Sequence, residues 1–218
     1  MIRHVFIDFD GTLVDTLPGI ERAALTALAQ VLPGHPAPDF RRHIGPPVRK
    51  VFAAALGALD ERTLDALERA FRTLYDGELW RDNAPFPGVV EAIDCLRANA
   101  VRCHILTNKP RTPTLRILDQ HGLRDRFEEI NTLAEPPAPR IDKPEAARRA
   151  AARLGTLPED TWMIGDARDD AAAAHACGWH FAAACYGYGD AATQMDFPIH
   201  LKLASAVELA KLPGLPVR

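Results

Sequence analysis

The sequence has 218 residues, of which 47% are hydrophobic and 25% charged, with 18 prolines and 14 glycines. This length and composition fit one globular domain with a smaller insertion, and they exclude collagen-like, disulfide-scaffold and wholly disordered chains. The 26 Lys and Arg residues against 29 Asp and Glu give a formal net charge of -3, without the basic excess of a typical nucleic-acid binder. No apolar run reaches membrane-spanning length, so we expect neither nucleic-acid nor membrane partners.

The cysteines and the N-terminal residues predict a cytoplasmic location. The N-terminal MIRHVFIDFD lacks the apolar segment and small residues of a signal peptide, and it is typical of a strand. The cysteines form no C-x-x-C pair and have no histidine at zinc-finger spacing, which is typical of reduced thiols that pack in the core. They are Cys95, Cys103, Cys177 and Cys185.

The first predicted element is a short strand followed by a long helical segment. Val5–Ile7 is an apolar run that ends at D-F-D-G-T, as a buried parallel strand does. Apolar residues then recur at helical spacing in three stretches, with no convincing strand between residues 17 and 83. We therefore predict an all-helical insertion, residues 17–83, joined to the rest of the chain by hinges around residues 15–17 and 83–84.

From P-F-P-G onward the sequence predicts alternating helices and strands. Such alternation indicates a doubly wound parallel sheet, an α/β core formed by residues 1–16 and 84–218. The Pro-rich segment 132–142 is predicted to be a loop. The later predicted strands are Val101–Thr107, Phe127–Asn131, Thr161–Ile164, Trp179–Cys185 and, more weakly, Ile199–Leu203.

Polar residues follow the predicted strands, where ligands bind in open parallel sheets. These residues are Asp8 and Asp10 after the first strand, Thr107 and Asn108 after the second, Lys143 before a Pro-started helix, and Asp166, Asp169 and Asp170 after T-W-M-I. Converging carboxylates repel one another unless a cation lies among them, and oxygen ligands without His or Cys favour Mg²⁺. A carboxylate beside Mg²⁺ can attack phosphorus, while a second carboxylate transfers protons. Hydroxyl, amide and ammonium groups then hold the phosphoryl oxygens.

The motifs D-F-D-G-T-L-V-D-T, T-N-K, K-P and G-D-A-R-D-D, in this order, resemble the four signature motifs of the haloacid dehalogenase superfamily. The resemblance covers essentially the whole chain, and the helical insertion resembles the small C1 cap of that superfamily. With I-G-P-P in the insertion and P-F-P-G-V-V after it, the chain is most similar to phosphoglycolate phosphatase-like members.

The resemblance implies a role for each matching residue. It implies that Asp8 is the nucleophile and Asp10 the general acid and base. It implies Mg²⁺ ligation by the carboxylates of Asp8 and Asp166 and by the main-chain carbonyl of Asp10. Thr107 and Lys143 would contact the phosphoryl group, Asp170 would support the metal shell or Lys143, and Asp169 replaces a frequent Asn. Two further departures are Ala167 in place of Ser or Thr and K-P-E-A in place of K-P-x-P.

The cap contains a basic cluster, and Arg49 or Lys50 is a candidate contact for a substrate anion. A solvated face is the ordinary interpretation of such a cluster. The whole cluster is Arg41, Arg42, His43, Arg49 and Lys50.

The sequence thus predicts a Mg²⁺-dependent phosphatase that acts on a small phosphorylated metabolite. A phosphomutase remains an alternative, although L-P-G-I-E-R-A-A-L lacks the histidine typical of β-phosphoglucomutase-like relatives after the hinge. A non-catalytic binding module on the same fold is the second alternative, because fold alone does not imply activity. Asp10 argues against carbon–halogen hydrolysis, which does not retain this second acid. Both a monomer and a homodimer fit the sequence.

Overall fold

The computed structural model describes residues 1–133, 141–189 and 196–212. Most of the predicted Pro-rich loop, residues 134–140, lies outside the described residues. The chain forms two compact units: Met1–Val14 together with Pro85–Arg218, and Asp15–Ala84. Two short strands, β2 (Val14–Asp15) and β3 (Ala84–Pro85), pair with each other where the chain passes between the units. None of the helices in the described ranges combines the length and apolar character that crossing a bilayer requires.

The first unit contains a six-stranded parallel sheet, which confirms the predicted α/β class. Its strands are β1 (His4–Ile7), β4 (Arg102–Thr107), β5 (Glu129–Thr132), β6 (Thr161–Gly165), β7 (His180–Ala184) and β8 (Leu201–Leu203). In the order β5-β4-β1-β6-β7-β8, the first strand of the chain lies between β4 and β6. All four residues of β1 are buried, as expected for a central parallel strand covered on both faces.

In the part of this unit that the structure describes, the α-helices are α4 (Val89–Ala98), α5 (Arg111–Gln120), α6 (Lys143–Leu154) and α7 (Arg168–Cys177). Apart from Lys143 and Asp170, the buried residues of α6 and α7 are alanines, whose small side chains let the helices approach each other and the sheet closely. Helix α6 begins after Asp142, whose carboxylate accepts a hydrogen bond from the N–H of Glu145 at 2.8 Å. This cap fixes the first residue of α6, Lys143, at the carboxyl end of the sheet.

The second unit is helical, with α1 (Leu17–Val31), α2 (Val48–Leu56) and α3 (Glu61–Gly77). Its core contains Phe40, Phe52, Phe71 and Tyr75, whose rings stack or meet edge to face. Asp60 caps α3 by accepting from the N–H of Thr63 at 2.9 Å. Short 3₁₀ segments at Phe40–His43 and Leu79–Arg81 complete the unit.

The predicted elements are present, but some of their ends differ. The apolar stretch L-R-I-L, residues 115–118, predicts a helix from Leu115, but helix α5 begins four residues earlier at Arg111, because its first turn accommodates Pro113 and follows Pro110. Strand β5 is Glu129–Thr132 instead of Phe127–Asn131, and a short 3₁₀ segment, Arg124–Arg126, precedes it. Hydrophobic spacing alone does not define these ends.

Candidate active site

The carboxyl ends of the central strands bring three of the predicted residues into one buried region. Asp8 directly follows β1, and its N–H donates to the carbonyl of Ile164 on β6 at 2.9 Å. Thr107 is the last residue of β4, and Asp166 directly follows β6. All three side chains are buried, although two carry carboxylates. Burial of this kind requires compensating partners.

Lys143 is the main compensating partner. Its Nζ atom donates to Oδ1 of Asp8 at 2.7 Å and to Oδ1 of Asp170 at 2.6 Å, and its side chain is only 2% exposed. Asp170 is fully buried, and its other oxygen, Oδ2, accepts from the N–H of Ala167 at 3.0 Å. The lysine at the start of α6 therefore links the carboxylates that follow β1 and β6.

Three aspartates converge closely enough to surround one cation. Asp8, Asp166 and Asp170 each offer a carboxylate oxygen, and these oxygens lie within 4.8 Å of one another. The side chain of Asp10 is not among them, and its Oδ1 accepts from Nζ of Lys109 at 2.9 Å. Lys109 is buried, and its backbone N–H donates to Oγ1 of Thr107 at 3.1 Å.

Asp166 is held by loop residues that no sequence motif predicted. Its Oδ2 accepts from the N–H groups of Tyr188 at 3.2 Å and Gly189 at 2.8 Å, and its Oδ1 accepts from Oγ1 of Thr12 at 3.3 Å. The phenol of Tyr186 donates to the carbonyl of Thr12 at 2.9 Å, which ties this loop to the one after β1. The only signal in the sequence is the Y-G-Y-G run that follows a predicted strand.

Two glycines of the motifs are required by these close approaches. A Cβ atom at Gly11, where φ is +84°, would lie 2.1 Å from Oδ2 of Asp166. A Cβ at Gly165 would lie 2.1 Å from Cγ of Asp170. Real Cβ atoms do not approach heavy atoms so closely, so neither position accommodates a larger residue without movement of a carboxylate.

The electrostatics of the site depend on burial. Burial, and then the negative charge of Asp8, raise the pKa of Asp166 to about 7. Burial also raises the pKa values of Asp8 and Asp170, although Lys143 opposes both shifts. Burial lowers the pKa of Lys143, but the carboxylates of Asp170 and Asp8 outweigh this effect, so the net pKa is raised and the ammonium stays charged.

The donor set fits a hard divalent cation. The centre of the site is made of four carboxylates and two ammonium groups: Asp8, Asp10, Asp166, Asp170, Lys109 and Lys143. With every group ionised, their formal charge is -2, which one divalent cation balances. Carboxylate oxygens without His or Cys ligands are the set that Mg²⁺ prefers. At Asp166, burial and the charge of Asp8 outweigh the opposing charge of Lys143, so the pKa of this carboxyl group is raised and a bound cation would favour its ionised form.

The remaining predicted residues, Asn108, Asp169 and Arg49, make contacts of their own. Nδ2 of Asn108 donates to Oδ2 of Asp169 at 3.3 Å, and this contact is exposed. In the helical unit, the guanidinium of Arg49 pairs with the acids Glu61, Asp65 and Glu68 of α3. Arg49 therefore has intramolecular partners of opposite charge, and its contact with a substrate anion stays a prediction.

Comparison with known proteins places these observations in a family. The family model for haloacid dehalogenase-like hydrolases matches residues 2–178. A phosphoglycolate phosphatase from Nitrosospira multiformis is 32% identical over 217 residues, which cover 97% of this chain and 95% of that protein. The tyrosine-protein kinase PtkA of Mycobacterium tuberculosis is 33% identical over 188 residues, covering 86% of this chain and 63% of the kinase.

A solved structure gives the same result for the fold. A haloacid dehalogenase-like hydrolase from Streptococcus pneumoniae superposes with a TM-score of 0.84 at 23% identity, covering 96% of this chain and 97% of that one. The family match spans most of the chain and includes the D-F-D-G-T, T-N-K, K-P and G-D-A-R-D-D motifs. The chain belongs to the haloacid dehalogenase-like hydrolase family.

Proposed function

We propose that this hydrolase removes the phosphoryl group from a small phosphorylated metabolite through an aspartyl phosphate on Asp8, with Mg²⁺ as its cofactor. The observation that carries the proposal is the contact of Lys143 with both Asp8 and Asp170, beside the carboxylate of Asp166. By its family and its phosphoglycolate phosphatase relatives, the chain is a phosphoric monoester hydrolase. A cytoplasmic location stays a prediction.

In the first step, a carboxylate oxygen of Asp8 attacks phosphorus. An O–P bond to Asp8 forms as the bond between phosphorus and the ester oxygen breaks, and Asp10 gives a proton to the leaving oxygen. Lys143 orients Asp8 through the 2.7 Å contact and supplies positive charge beside the phosphoryl oxygens. In the second step, Asp10 takes a proton from water, which attacks phosphorus and releases Asp8 and inorganic phosphate.

Thr107 is suited to hold a phosphoryl oxygen. Its hydroxyl oxygen accepts from the N–H of Lys109 at 3.1 Å, so the hydroxyl proton can be donated to a ligand. Its side chain is buried at the end of β4, where its orientation is fixed by the strand. Asn108, the next residue, stays a predicted phosphate contact.

Mg²⁺ would be held by the carboxylates of Asp8 and Asp166 and by the main-chain carbonyl of Asp10. When bound, it supplies positive charge that offsets the repulsion between these carboxylates and a phosphate dianion. Asp170 is engaged by Lys143 and by the N–H of Ala167, which suits a supporting role. The loop after β7 keeps Asp166 in place through its two N–H groups.

The first substrate to test is 2-phosphoglycolate. Several relatives named phosphoglycolate phosphatase, such as that of Chromobacterium violaceum, are 29–34% identical over most of the chain. The substrate carries a carboxylate as well as a phosphate, so a basic residue would favour it over neutral phosphomonoesters. We propose Arg49 for this contact, and unchanged specificity in a double variant, Arg49→Ala with Lys50→Ala, would remove that assignment.

The decisive assay measures phosphate release from p-nitrophenyl phosphate and a panel of phosphorylated metabolites, with Mg²⁺ and with EDTA. We expect Mg²⁺-dependent turnover that Asp8→Asn abolishes and Asp169→Asn, at the exposed contact, largely retains. No metal-dependent turnover on any phosphate would favour the binding module. Burst kinetics with a sugar phosphate and a bisphosphate activator would favour the phosphomutase.

A further inference from the structure

Lys109 is a buried lysine for which the proposed function gives no role. It follows Thr107 and Asn108 at the end of β4, and its side chain is only 3% exposed. Nζ lies 2.9 Å from Oδ1 of Asp10, a residue 99 positions away in the chain. An ammonium group buried to this degree is costly unless a carboxylate compensates it, so the pair is a specific arrangement.

The two buried lysines of the site contact different carboxylates. Lys143 donates to Asp8 and Asp170, whereas Lys109 donates to Asp10. Nζ of Lys109 also lies 5.8 Å from the centroid of the Phe9 ring, and Phe9 is fully buried. The aromatic ring and the carboxylate together define where the ammonium group lies.

Lys109 is also bonded through its backbone. Its N–H donates to Oγ1 of Thr107 at 3.1 Å, while its side chain donates to Asp10. A single residue therefore contacts both the predicted phosphoryl-binding hydroxyl after β4 and the predicted proton-transfer carboxylate after β1. Loss of either contact would therefore free the Thr107 hydroxyl and the Asp10 carboxylate to move relative to each other.

We propose that Lys109 is a positioning residue that fixes the carboxylate of Asp10 for proton transfer to the leaving oxygen. This inference rests on the proposed function. An ammonium group only donates, and in a protonated carboxyl group the oxygen without the proton is the better acceptor, so Lys109 favours protonation of Asp10 on Oδ2. The proton therefore passes from Oδ2 of Asp10 to the ester oxygen as the O–P bond breaks, and Lys109 keeps its own protons throughout.

The test compares leaving groups that need protonation to different degrees. Phenoxide is a poor leaving group and needs a general acid, whereas 2,4-dinitrophenolate leaves without one. In Lys109→Met, we expect kcat/KM for phenyl phosphate to fall about 30-fold, because a mispositioned acid loses most of its effect. For 2,4-dinitrophenyl phosphate, we expect a change of less than about threefold. Lys109→Arg should recover part of the loss, and Lys202→Met, at an exposed lysine of β8, should behave as the unmodified protein does.

A double-variant cycle shows whether Lys109 acts through Asp10. In the Asp10→Asn background, adding Lys109→Met should change kcat/KM for phenyl phosphate by less than about twofold. Equal losses with both substrates, or multiplied losses in the double variant, would overturn the inference. If Lys109→Met does not fold, Lys109→Gln replaces it. It must show the same large loss of kcat/KM with phenyl phosphate and small loss with 2,4-dinitrophenyl phosphate. If Asp10→Asn lowers kcat/KM equally for the two substrates, Asp10 is not the general acid. That result would contradict the proposed function itself and not only the role of Lys109.

Discussion

Nζ of Lys143 lies 2.7 Å from Oδ1 of Asp8, so the proposed nucleophile is held by a buried ammonium group from a helix that begins 135 residues later. Replacement of Lys143 by a neutral residue leaves the buried carboxylates of Asp8 and Asp170 without the ammonium group that compensates their charge. We expect Lys143→Met to lower kcat about 100-fold or more, as loss of a donor at a developing charge does. We also expect it to lower the free energy of unfolding by roughly 3 kcal/mol at neutral pH without Mg²⁺.

Denaturant unfolding and steady-state kinetics check both effects, with Lys202→Met as the control at an exposed lysine. Added Mg²⁺ should recover part of the stability of Lys143→Met by neutralising the same carboxylates. An unfolding midpoint equal to that of the unmodified protein would contradict the account of Lys143 as the compensating charge.

Mg²⁺ binding should depend on pH because of Asp166. Burial and the charge of Asp8 raise the pKa of this carboxyl group from 3.8 to about 7. Between these values, the folded metal-free protein binds a proton that the unfolded chain has lost, so this group lowers stability as pH rises through that range. Mg²⁺ requires the ionised carboxylate of Asp166, so the affinity of the protein for Mg²⁺ should rise between about pH 6 and pH 8. At the lower pH, Mg²⁺ binding should release a proton from Asp166.

Titration calorimetry in buffers with different heats of ionisation measures this proton release. Asp169→Asn is the matched control, because Asp169 is an exposed acid three residues along the chain. It should keep the pH dependence, whereas Asp166→Asn should bind Mg²⁺ much more weakly. An affinity that does not change over this pH range would contradict the electrostatic description of Asp166.

The loop after β7 should affect Mg²⁺ affinity without providing a metal ligand. A Cβ at Gly189 would lie 2.3 Å from the carbonyl oxygen of Asp166, and the N–H of Gly189 donates to Oδ2 of the same residue. We expect Gly189→Ala to weaken Mg²⁺ binding about 10-fold, the usual effect of losing a partner that orients a ligand. Gly77→Ala is the control, because no atom lies within 4 Å of a Cβ there. Equal Mg²⁺ affinities in the two variants would contradict this role of the loop.

A buried histidine pair should make the fold sensitive to acid. Nδ1 of His4 lies 3.2 Å from Nε2 of His104, and His104 stacks on Phe6 with 4.8 Å between ring centroids. Burial, followed by repulsion from His4, lowers the pKa of His104 to about 4. The unfolded chain binds a proton near pH 6.5, so stability is lost as pH falls from 6.5 toward 4, by on the order of 3 kcal/mol.

Replacement of His104 by Phe keeps a stacking ring and removes the titrating group. We expect the free energy of unfolding of His104→Phe to fall less steeply between pH 6.5 and pH 4, with the remaining slope due partly to His4, whose pKa burial also lowers. His35→Gln, at an exposed histidine, is the control. Parallel stability curves for His104→Phe and the unmodified protein would contradict the prediction.

The sequence predicted the sheet and most of the central site because both follow from local patterns. Asp8, Thr107 and Asp166 could be found because each lies where an apolar run ends, and parallel strands align those ends. The contact of Lys109 with Asp10 could not, because it depends on how a long side chain crosses between two loops. The two N–H donors in the loop after β7 could not be predicted either, since every residue type except proline has a backbone N–H.

The measurement that bears most directly on the account is quenched-flow mass spectrometry during turnover of p-nitrophenyl phosphate with Mg²⁺. Samples quenched in acid before the steady state should carry a phosphoryl group on the peptide that contains Asp8, and fragmentation should assign it to that residue. Asp10→Asn should accumulate more of this species, since loss of the base slows its hydrolysis. Phosphate release with no phosphoryl group on Asp8 in either protein, or with one on Asp10 instead, would contradict the proposed mechanism.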